Sequence, residues 1–176
     1  KGFYKYSMTW YAQVLKEFLD NLGIEKATYA GHSMGGHGTW YLGVTYPGLF
    51  AAIAPCAGYP TLFEYGSHDG IISDPDEASD MEKILLRASN GSNPVAMKEN
   101  YLNHGIYVLH GDSDRVVPVH LARGMRKVLG DFHPDFVYYE YPGGTHWYGD
   151  ESMDWFPIFD YFKWHTLKAN REKTVV

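Results

Sequence analysis

The sequence predicts an α/β fold in which one mostly parallel sheet is covered by helices on both faces. Short apolar, β-prone runs alternate along the chain with segments of helical periodicity, which is typical of parallel sheets with helical crossovers. The chain has 176 residues, 45% of them hydrophobic, which suits one domain with a substantial core. We therefore predict that residues 1–176 form a single domain.

The first third of the chain predicts a helix followed by a strand, a helix and a strand. Ser7 is a candidate N-cap of the first helix, which should end at Gly23. A strand over residues 24–30, a helix over 34–46 and a buried strand over 49–54 follow. The apolar face of the first helix comprises Trp10, Val14, Leu15, Phe18, Leu19 and Leu22.

Residues 57–103 are rich in Gly, Pro, Asp and Ser and predict an irregular excursion from the regular pattern. Two short helices, at about 78–88 and 94–102, are expected within it. A loop-rich stretch of this size is usually functional, so one interpretation is a lid over a substrate pocket.

The last third of the chain returns to alternating strands and helices. We predict a buried strand over residues 106–110, a helix over 118–129 and a strand over 136–141. A final helix should span about 152–168, with Pro157 early in it or at a kink.

Composition excludes several classes of function. The formal charge is −6 and no Lys/Arg cluster is evident, so we predict no nucleic-acid partner. The longest apolar run, residues 49–57, is about half of what a membrane-spanning helix needs, so no membrane span is predicted. A single cysteine, Cys56, excludes an internal disulfide, but the compartment stays open because the sequence begins at Lys1 without a leader pattern.

The pattern Gly-x-Ser-x-Gly surrounds Ser33, between a predicted strand and a predicted helix. This context fits a nucleophile elbow, a strained turn that pushes the serine hydroxyl outward. Gly31 and Gly35 would leave room where strand and helix nearly touch. The alternative is a Gly-rich turn that binds phosphate at a helix N-terminus, although no Walker lysine follows.

Ser33, Asp114 and His146 each follow a predicted strand, so they are expected at the same edge of a parallel sheet. A serine hydroxyl is a poor nucleophile unless a base takes its proton and a carboxylate orients that base. Asp112 competes with Asp114 for the role of acid, and either carboxylate can instead cap the next helix. His110 and His120 are the competing bases, at less suitable places in the topology.

Three segments together resemble the α/β-hydrolase superfamily, nearest its prolyl-oligopeptidase-type peptidase and esterase branch. They are Gly31-His32-Ser33-Met34-Gly35-Gly36, His110-Gly111-Asp112-Ser113-Asp114-Arg115-Val116-Val117-Pro118 and Gly143-Gly144-Thr145-His146. The resemblance implies the α/β-hydrolase fold and an acyl-enzyme at Ser33, with His146 as base and Asp114 as orienting acid. It also implies that the backbone N–H of Met34 is one oxyanion donor.

The resemblance also implies parts that this sequence does not contain. In the superfamily a second oxyanion donor comes from a loop after an early strand, whereas here only one helix precedes the strand that leads to Ser33. We therefore expect a hydrolase sheet that lacks its N-terminal strands. The exposed strand edge would be completed by an upstream segment or by a second copy in a homo-oligomer.

The resulting expectation is a serine hydrolase that acts on a small-molecule carboxylic ester or a peptide bond, without metal or organic cofactor. His32 and His37 are five residues apart, whereas two metal ligands on one face of a helix are four residues apart, so a metal site is not expected. Cys56 is expected to be a small buried hydrophobic residue and not a nucleophile. A non-catalytic module that binds a partner through the sheet edge is the alternative. Aromatic residues near the predicted site either line an aryl- or sugar-binding cleft or serve packing alone, and these are Tyr59, Tyr65, Trp147 and Tyr148. Trp10, Trp40 and Trp155 are expected in the core.

Overall fold

The computed structural model of the chain describes residues 8–24, 27–61, 78–88, 93–147 and 156–165. The strands in this part of the chain are β1 (Ala27–His32), β2 (Phe50–Cys56), β3 (Gly105–Gly111) and β4 (Phe136–Tyr141). The α-helices are α1 (Met8–Asn21), α2 (Met34–Thr45), α3 (Asp80–Ala88), α4 (His120–Leu129) and α5 (Phe156–Lys163). A 3-10 helix spans Lys98–Asn103.

The strands form one parallel sheet in the order β1-β2-β3-β4. Every residue of β2 and β3 is buried, which explains their nearly continuous apolar sequences. His32 is in register with Cys56, and Gly111 with Tyr141, so the strands end at a common edge. Loops that follow the strands therefore meet there.

Helices cover both faces of this sheet, as predicted. On one face, Trp40 of α2 and Met125 of α4 belong to a buried cluster with Ile53 and Ile106 of the central strands. The opposite face is covered by α5, whose Ile158 is completely buried. Each such apolar side chain contributes roughly 1.5–3 kcal/mol by leaving water.

The short helix predicted over residues 94–102 is confirmed only in its second half. Residues 94–97 form turns and only the 3-10 helix Lys98–Asn103 follows. The Asn93 side-chain oxygen accepts the backbone N–H groups of Val95 at 3.0 Å and Ala96 at 3.3 Å. This local side-chain bond competes with helical hydrogen bonding and gives the segment its turn.

Part of the predicted excursion belongs to the core. Tyr101, in the 3-10 helix, is completely buried, and its hydroxyl donates to the Trp40 carbonyl at 2.7 Å. The nearby Asn100 side chain donates to the Val44 carbonyl at 2.9 Å. Residues 62–77 and 89–92 lie outside the described residues, so the lid remains a prediction.

Helix α1 forms as predicted, but most of its apolar stripe is not covered. Trp10 is 39% exposed and Phe18 57% exposed, so the predicted core position of Trp10 is wrong, whereas Trp40 is buried. Leu15 packs against the core beside α2. Within the described residues, β1 is an edge strand with no strand on its outer side. Ser7 and Trp155 lie outside the described residues.

The last helix is described only over Phe156–Lys163, and the remainder of the predicted range 152–168 lies largely outside the described residues. Pro157 occupies its first turn, where the missing N–H costs nothing. The Tyr161 hydroxyl donates to a carboxylate oxygen of Asp135 at 2.7 Å, which ties α5 to the start of β4.

Candidate active site

Ser33 lies in a tight turn between β1 and α2. Its backbone has φ 59° and ψ −116°, a region that costs free energy for a residue with a side chain. Neighbouring backbone groups hold this conformation: the Ser33 N–H donates to the Cys56 carbonyl, and the His37 N–H donates to the Ser33 carbonyl, each at 3.0 Å.

Two glycines allow the strand and the helix to approach closely. A Cβ at Gly31 would lie 2.2 Å from the Gly35 carbonyl oxygen, and one at Gly36 would lie 2.5 Å from the Cys56 carbonyl oxygen. Gly35 differs, because no described atom outside its own helical turn lies within 4 Å of its ideal Cβ position. A side chain is therefore excluded at Gly31 and Gly36. The prediction that Gly35 is needed to leave room between strand and helix is wrong.

Ser33, His146 and Asp114 come together at the edge where the strands end. Ser33 Oγ lies 2.9 Å from His146 Nε2, and His146 Nδ1 lies 2.7 Å from Asp114 Oδ2. These residues follow β1, β4 and β3, respectively, so the parallel register brings them together. The imidazole is 2% exposed, which excludes competing water from this line of hydrogen bonds.

The Asp114 carboxylate is held on both oxygens. Oδ1 accepts the backbone N–H groups of Val116 and Val117, each at 2.8 Å, while Oδ2 faces His146. His110 Nε2 also lies 3.4 Å from Oδ2. Burial raises the pKa of the Asp114 carboxyl, but the two imidazoles and two backbone N–H groups outweigh burial and lower this pKa to about 2. Asp114 is thus a carboxylate at neutral pH.

Asp112, the competing acid, and His110 and His120, the competing bases, do not contact Ser33 in the hydrogen bonds of the described residues. Asp112 is exposed, and its Oδ1 accepts the Ser113 hydroxyl and the Gly143 N–H, each at 2.8 Å. It therefore joins the loops after β3 and β4. His110 is buried with its Nε2 hydrogen-bonded to the Val117 carbonyl at 2.8 Å, and His120 is exposed at the start of α4.

His32 makes a contact that the sequence did not predict, because its spacing from His37 bears only on metal binding. Its Nε2 donates to the backbone carbonyl of His146 at 2.8 Å. The His32 and His146 rings lie 4.8 Å apart, and Trp147 lies 4.8 Å from the His146 ring. The available sequence signal was the position of His32 directly before Ser33.

The aromatic residues and the cysteine named in the sequence analysis are partly buried in the core and partly exposed near the candidate site. Tyr59 is buried and stacks on His37 with centroids 4.6 Å apart, so it is a packing residue. Trp147 is 68% exposed beside His146, whereas Tyr65 and Tyr148 lie outside the described residues. Cys56 is buried, and burial raises the pKa of its thiol to about 12, so this thiol is unsuited to act as a nucleophile.

Comparison with known proteins identifies the architecture. No family model matches the chain. An α/β hydrolase enzyme from the metagenome of Mar Chica lagoon sediments superposes with a TM-score of 0.61 at 22% identity, over 90% of this chain and 71% of that one. The chain has the α/β-hydrolase fold. The resemblance that the three sequence segments indicated is thereby confirmed at the level of the fold.

Other α/β-hydrolase structures similar to this chain differ in size. A carboxylesterase structure from the thaumarchaeon Nitrososphaera gargenis has a TM-score of 0.60 at 18% identity, covering 90% of this chain and 72% of that one. The Pyrococcus horikoshii acylaminoacyl peptidase has a TM-score of 0.65 at 18% identity, covering 90% of this chain but 27% of that one. The fold is therefore shared with enzymes of very different length.

A curated relative is longer still. An uncharacterized secreted protein of Arthroderma benhamiae is 32% identical over 142 residues, which are 80% of this chain and 15% of the relative. The chain thus matches about one seventh of that protein. In the part of the chain that the structure describes, no helix has both the length and the apolar character needed to cross a bilayer.

The candidate site offers one backbone donor beside Ser33. Met34 is the first residue of α2, so its N–H has no acceptor within the helix and lies at the positive end of the helix dipole. Among the described residues, no three His, Cys, Asp or Glu side chains are grouped as a metal site.

Proposed function

We propose that this chain is the catalytic part of a serine hydrolase that cleaves a carboxylic ester or a peptide bond through an acyl-enzyme at Ser33. The supporting observation is the buried hydrogen-bond line from Ser33 Oγ through His146 to Asp114, with distances of 2.9 and 2.7 Å. Such a line lets a hydroxyl lose its proton while it attacks. The proposal needs no metal or organic cofactor.

In the first half of the reaction, His146 Nε2 takes the hydroxyl proton as Ser33 Oγ attacks the acyl carbon. The Asp114 carboxylate accepts the Nδ1–H and stabilises the imidazolium that forms. The carbonyl oxygen becomes an oxyanion, which receives a hydrogen bond from the Met34 N–H. Collapse of this intermediate expels the alcohol or amine, which takes the proton from His146.

In the second half, His146 takes a proton from water, and the resulting hydroxide attacks the acyl carbon on Ser33. Collapse returns the proton to Ser33 Oγ and releases the carboxylic acid. The Met34 N–H again donates to the oxyanion in this half of the reaction.

We favour a carboxylic ester of a small molecule over a peptide. Among the described residues, the proposed nucleophile is flanked by the exposed side chains of Met34, 77% accessible, and Trp147, 68% accessible, which offer an apolar surface to a substrate. The fold neighbours include both a carboxylesterase and an acylaminoacyl peptidase, so both bond types belong in the test. Because the Arthroderma benhamiae relative is named a secreted protein, secretion is part of this proposal.

The test is labelling with a fluorophosphonate probe, together with turnover of p-nitrophenyl butyrate and a peptide p-nitroanilide. The parent chain should be labelled and should hydrolyse the ester faster than the anilide. Ser33→Ala should abolish both labelling and turnover. Ser113→Ala is the matched control, since Ser113 is an exposed serine on the neighbouring loop. Labelling of Ser33→Ala as strong as that of the parent would refute the proposed nucleophile.

The second candidate is a non-catalytic domain that binds a partner through its sheet edge. It is favoured by the outer side of β1, which has no strand among the described residues, and by the exposed apolar stripe of α1. An upstream segment of the same polypeptide or a second copy would fill this edge. This candidate would be favoured if the folded chain, with or without its native upstream residues, were not labelled by the probe and hydrolysed neither substrate.

A further inference from the structure

The position directly before the proposed nucleophile carries an additional role, which rests on the function proposed above. We infer that His32 is a positioning residue for the base: its side chain holds the main chain of His146 so that the imidazole reaches Ser33 and Asp114 together. His32 touches no reacting atom in this arrangement. It acts through His146.

The first argument is that two consecutive residues, the last of β1 and the one that follows it, hold two different parts of His146. Ser33 Oγ contacts the ring at Nε2, and His32 Nε2 donates to the backbone carbonyl of the same residue at 2.8 Å. With the ring also fixed at Nδ1 by Asp114, the side chain and the main chain of His146 have separate anchors. One anchor alone would leave the ring free to rotate or the loop free to shift.

The second argument is that the loop after β4 needs such an anchor. Its first residues are joined to the loop after β3, where the Gly143 N–H donates to Asp112 and the Gly144 carbonyl accepts from Ser113. Beyond Gly144 the described loop has no regular structure up to residue 147. His32 binds the main chain at residue 146, past the last of these backbone bonds.

The third argument is that the His32 ring packs where it can limit movement of the His146 imidazole. The ring centroids of His32 and His146 are 4.8 Å apart, and Trp147 lies 5.7 Å from His32. The pKa of His32 is lowered, chiefly because the ring is partly buried. The hydrogen bond to the His146 carbonyl and the charge of Asp114 oppose this shift without cancelling it, while nearby His146 and His110 add to it. A neutral ring can donate from Nε2 without placing a cation beside the imidazolium that the reaction forms.

The test compares variants that separate the hydrogen bond from the ring. His32→Gln keeps an N–H donor near the position of Nε2, His32→Phe keeps a ring without a donor, and His32→Asn is too short to reach the carbonyl. His120→Gln is the matched control, because His120 is an exposed histidine. Each variant is assayed for kcat and KM with p-nitrophenyl butyrate. Circular dichroism and thermal melting check its fold, and the low-field NMR resonance of the His146 Nδ1 proton reports the placement of the ring.

We expect His32→Phe to lower kcat by roughly 10- to 100-fold, the effect of a small misplacement of a reacting group, while KM changes little. Its low-field proton resonance should weaken, and His32→Gln should recover most of both signals. His32→Asn provides the same comparison if His32→Phe does not fold. A folded donor-free variant with the parent's kcat and low-field resonance would overturn the inference, as would equal losses in His32→Gln and His32→Phe. Undiminished turnover in Ser33→Ala would instead overturn the proposed function itself.

Discussion

Replacing Asp114 by Asn tests the proposed mechanism most sharply, because the structure fixes how the new amide must lie. The two backbone N–H groups of Val116 and Val117 both donate to Oδ1, each at 2.8 Å. Only an oxygen can accept them, so the amide oxygen takes that position and the NH2 group replaces Oδ2. That NH2 group then faces His146 Nδ1, which lies 2.7 Å from Oδ2 in the parent.

The consequence is a change of tautomer in the base. An NH2 group can only donate to Nδ1, so the imidazole proton moves to Nε2. Nε2 then cannot accept the proton of Ser33 across the 2.9 Å contact. The equivalent substitution in a serine protease triad lowers kcat by about 10⁴-fold, which corresponds to about 5 kcal/mol of transition-state stabilisation. We expect a loss of that order for Asp114→Asn.

The assay is kcat for p-nitrophenyl butyrate at neutral pH, with the rate of fluorophosphonate labelling as a second measure. Asp112→Asn is the matched control, since Asp112 is exposed and contacts Ser113 and Gly143 instead of the imidazole. It should retain activity within about tenfold, because an amide oxygen can still accept both bonds. Activity of Asp114→Asn within tenfold of the parent, or an equal loss in Asp112→Asn, would refute the assignment of the acid.

Two further predictions concern stability. Because the pKa of Asp114 is lowered from 3.8 to about 2 by folding, its carboxylate should contribute about 2 kcal/mol above pH 4, and this contribution should disappear as the pH falls to 2. Urea unfolding at pH 6 and pH 2 should show a smaller acid loss in Asp114→Asn than in the parent; an equal loss would contradict the origin of the shift. Gly31→Ala should destabilise the fold by about 3 kcal/mol, because its Cβ would meet the Gly35 carbonyl oxygen at 2.2 Å, whereas Gly35→Ala should change stability by about 1 kcal/mol or less. Thermal melting would disprove this contrast if the two variants melted together.

Local sequence patterns were enough to predict each strand and most helices. The two central strands, β2 and β3, are short apolar runs bounded by turn residues, because they are buried on both faces of the sheet. The helix predicted over residues 94–102 begins later, at Lys98, because the preceding turn depends on the Asn93 side chain, whose hydrogen bonds compete with helical ones. The apolar periodicity of α1 predicted its helix, but periodicity does not predict which surface covers an apolar face.

The sequence by itself determined the kinds of chemical groups at the strand ends and the order in which they occur. Residue spacing left two carboxylates, Asp112 and Asp114, as alternatives, because both lie in one short turn, and only the resemblance to the hydrolases favoured Asp114. The parallel register and the loop hydrogen bonds turned Asp114 toward His146 and Asp112 toward Gly143. Only the tertiary structure decided this, and it also placed His32 against the His146 carbonyl, 114 residues away in sequence. Contacts between distant segments depend on how whole elements pack, and that information is not contained in any local stretch of the chain.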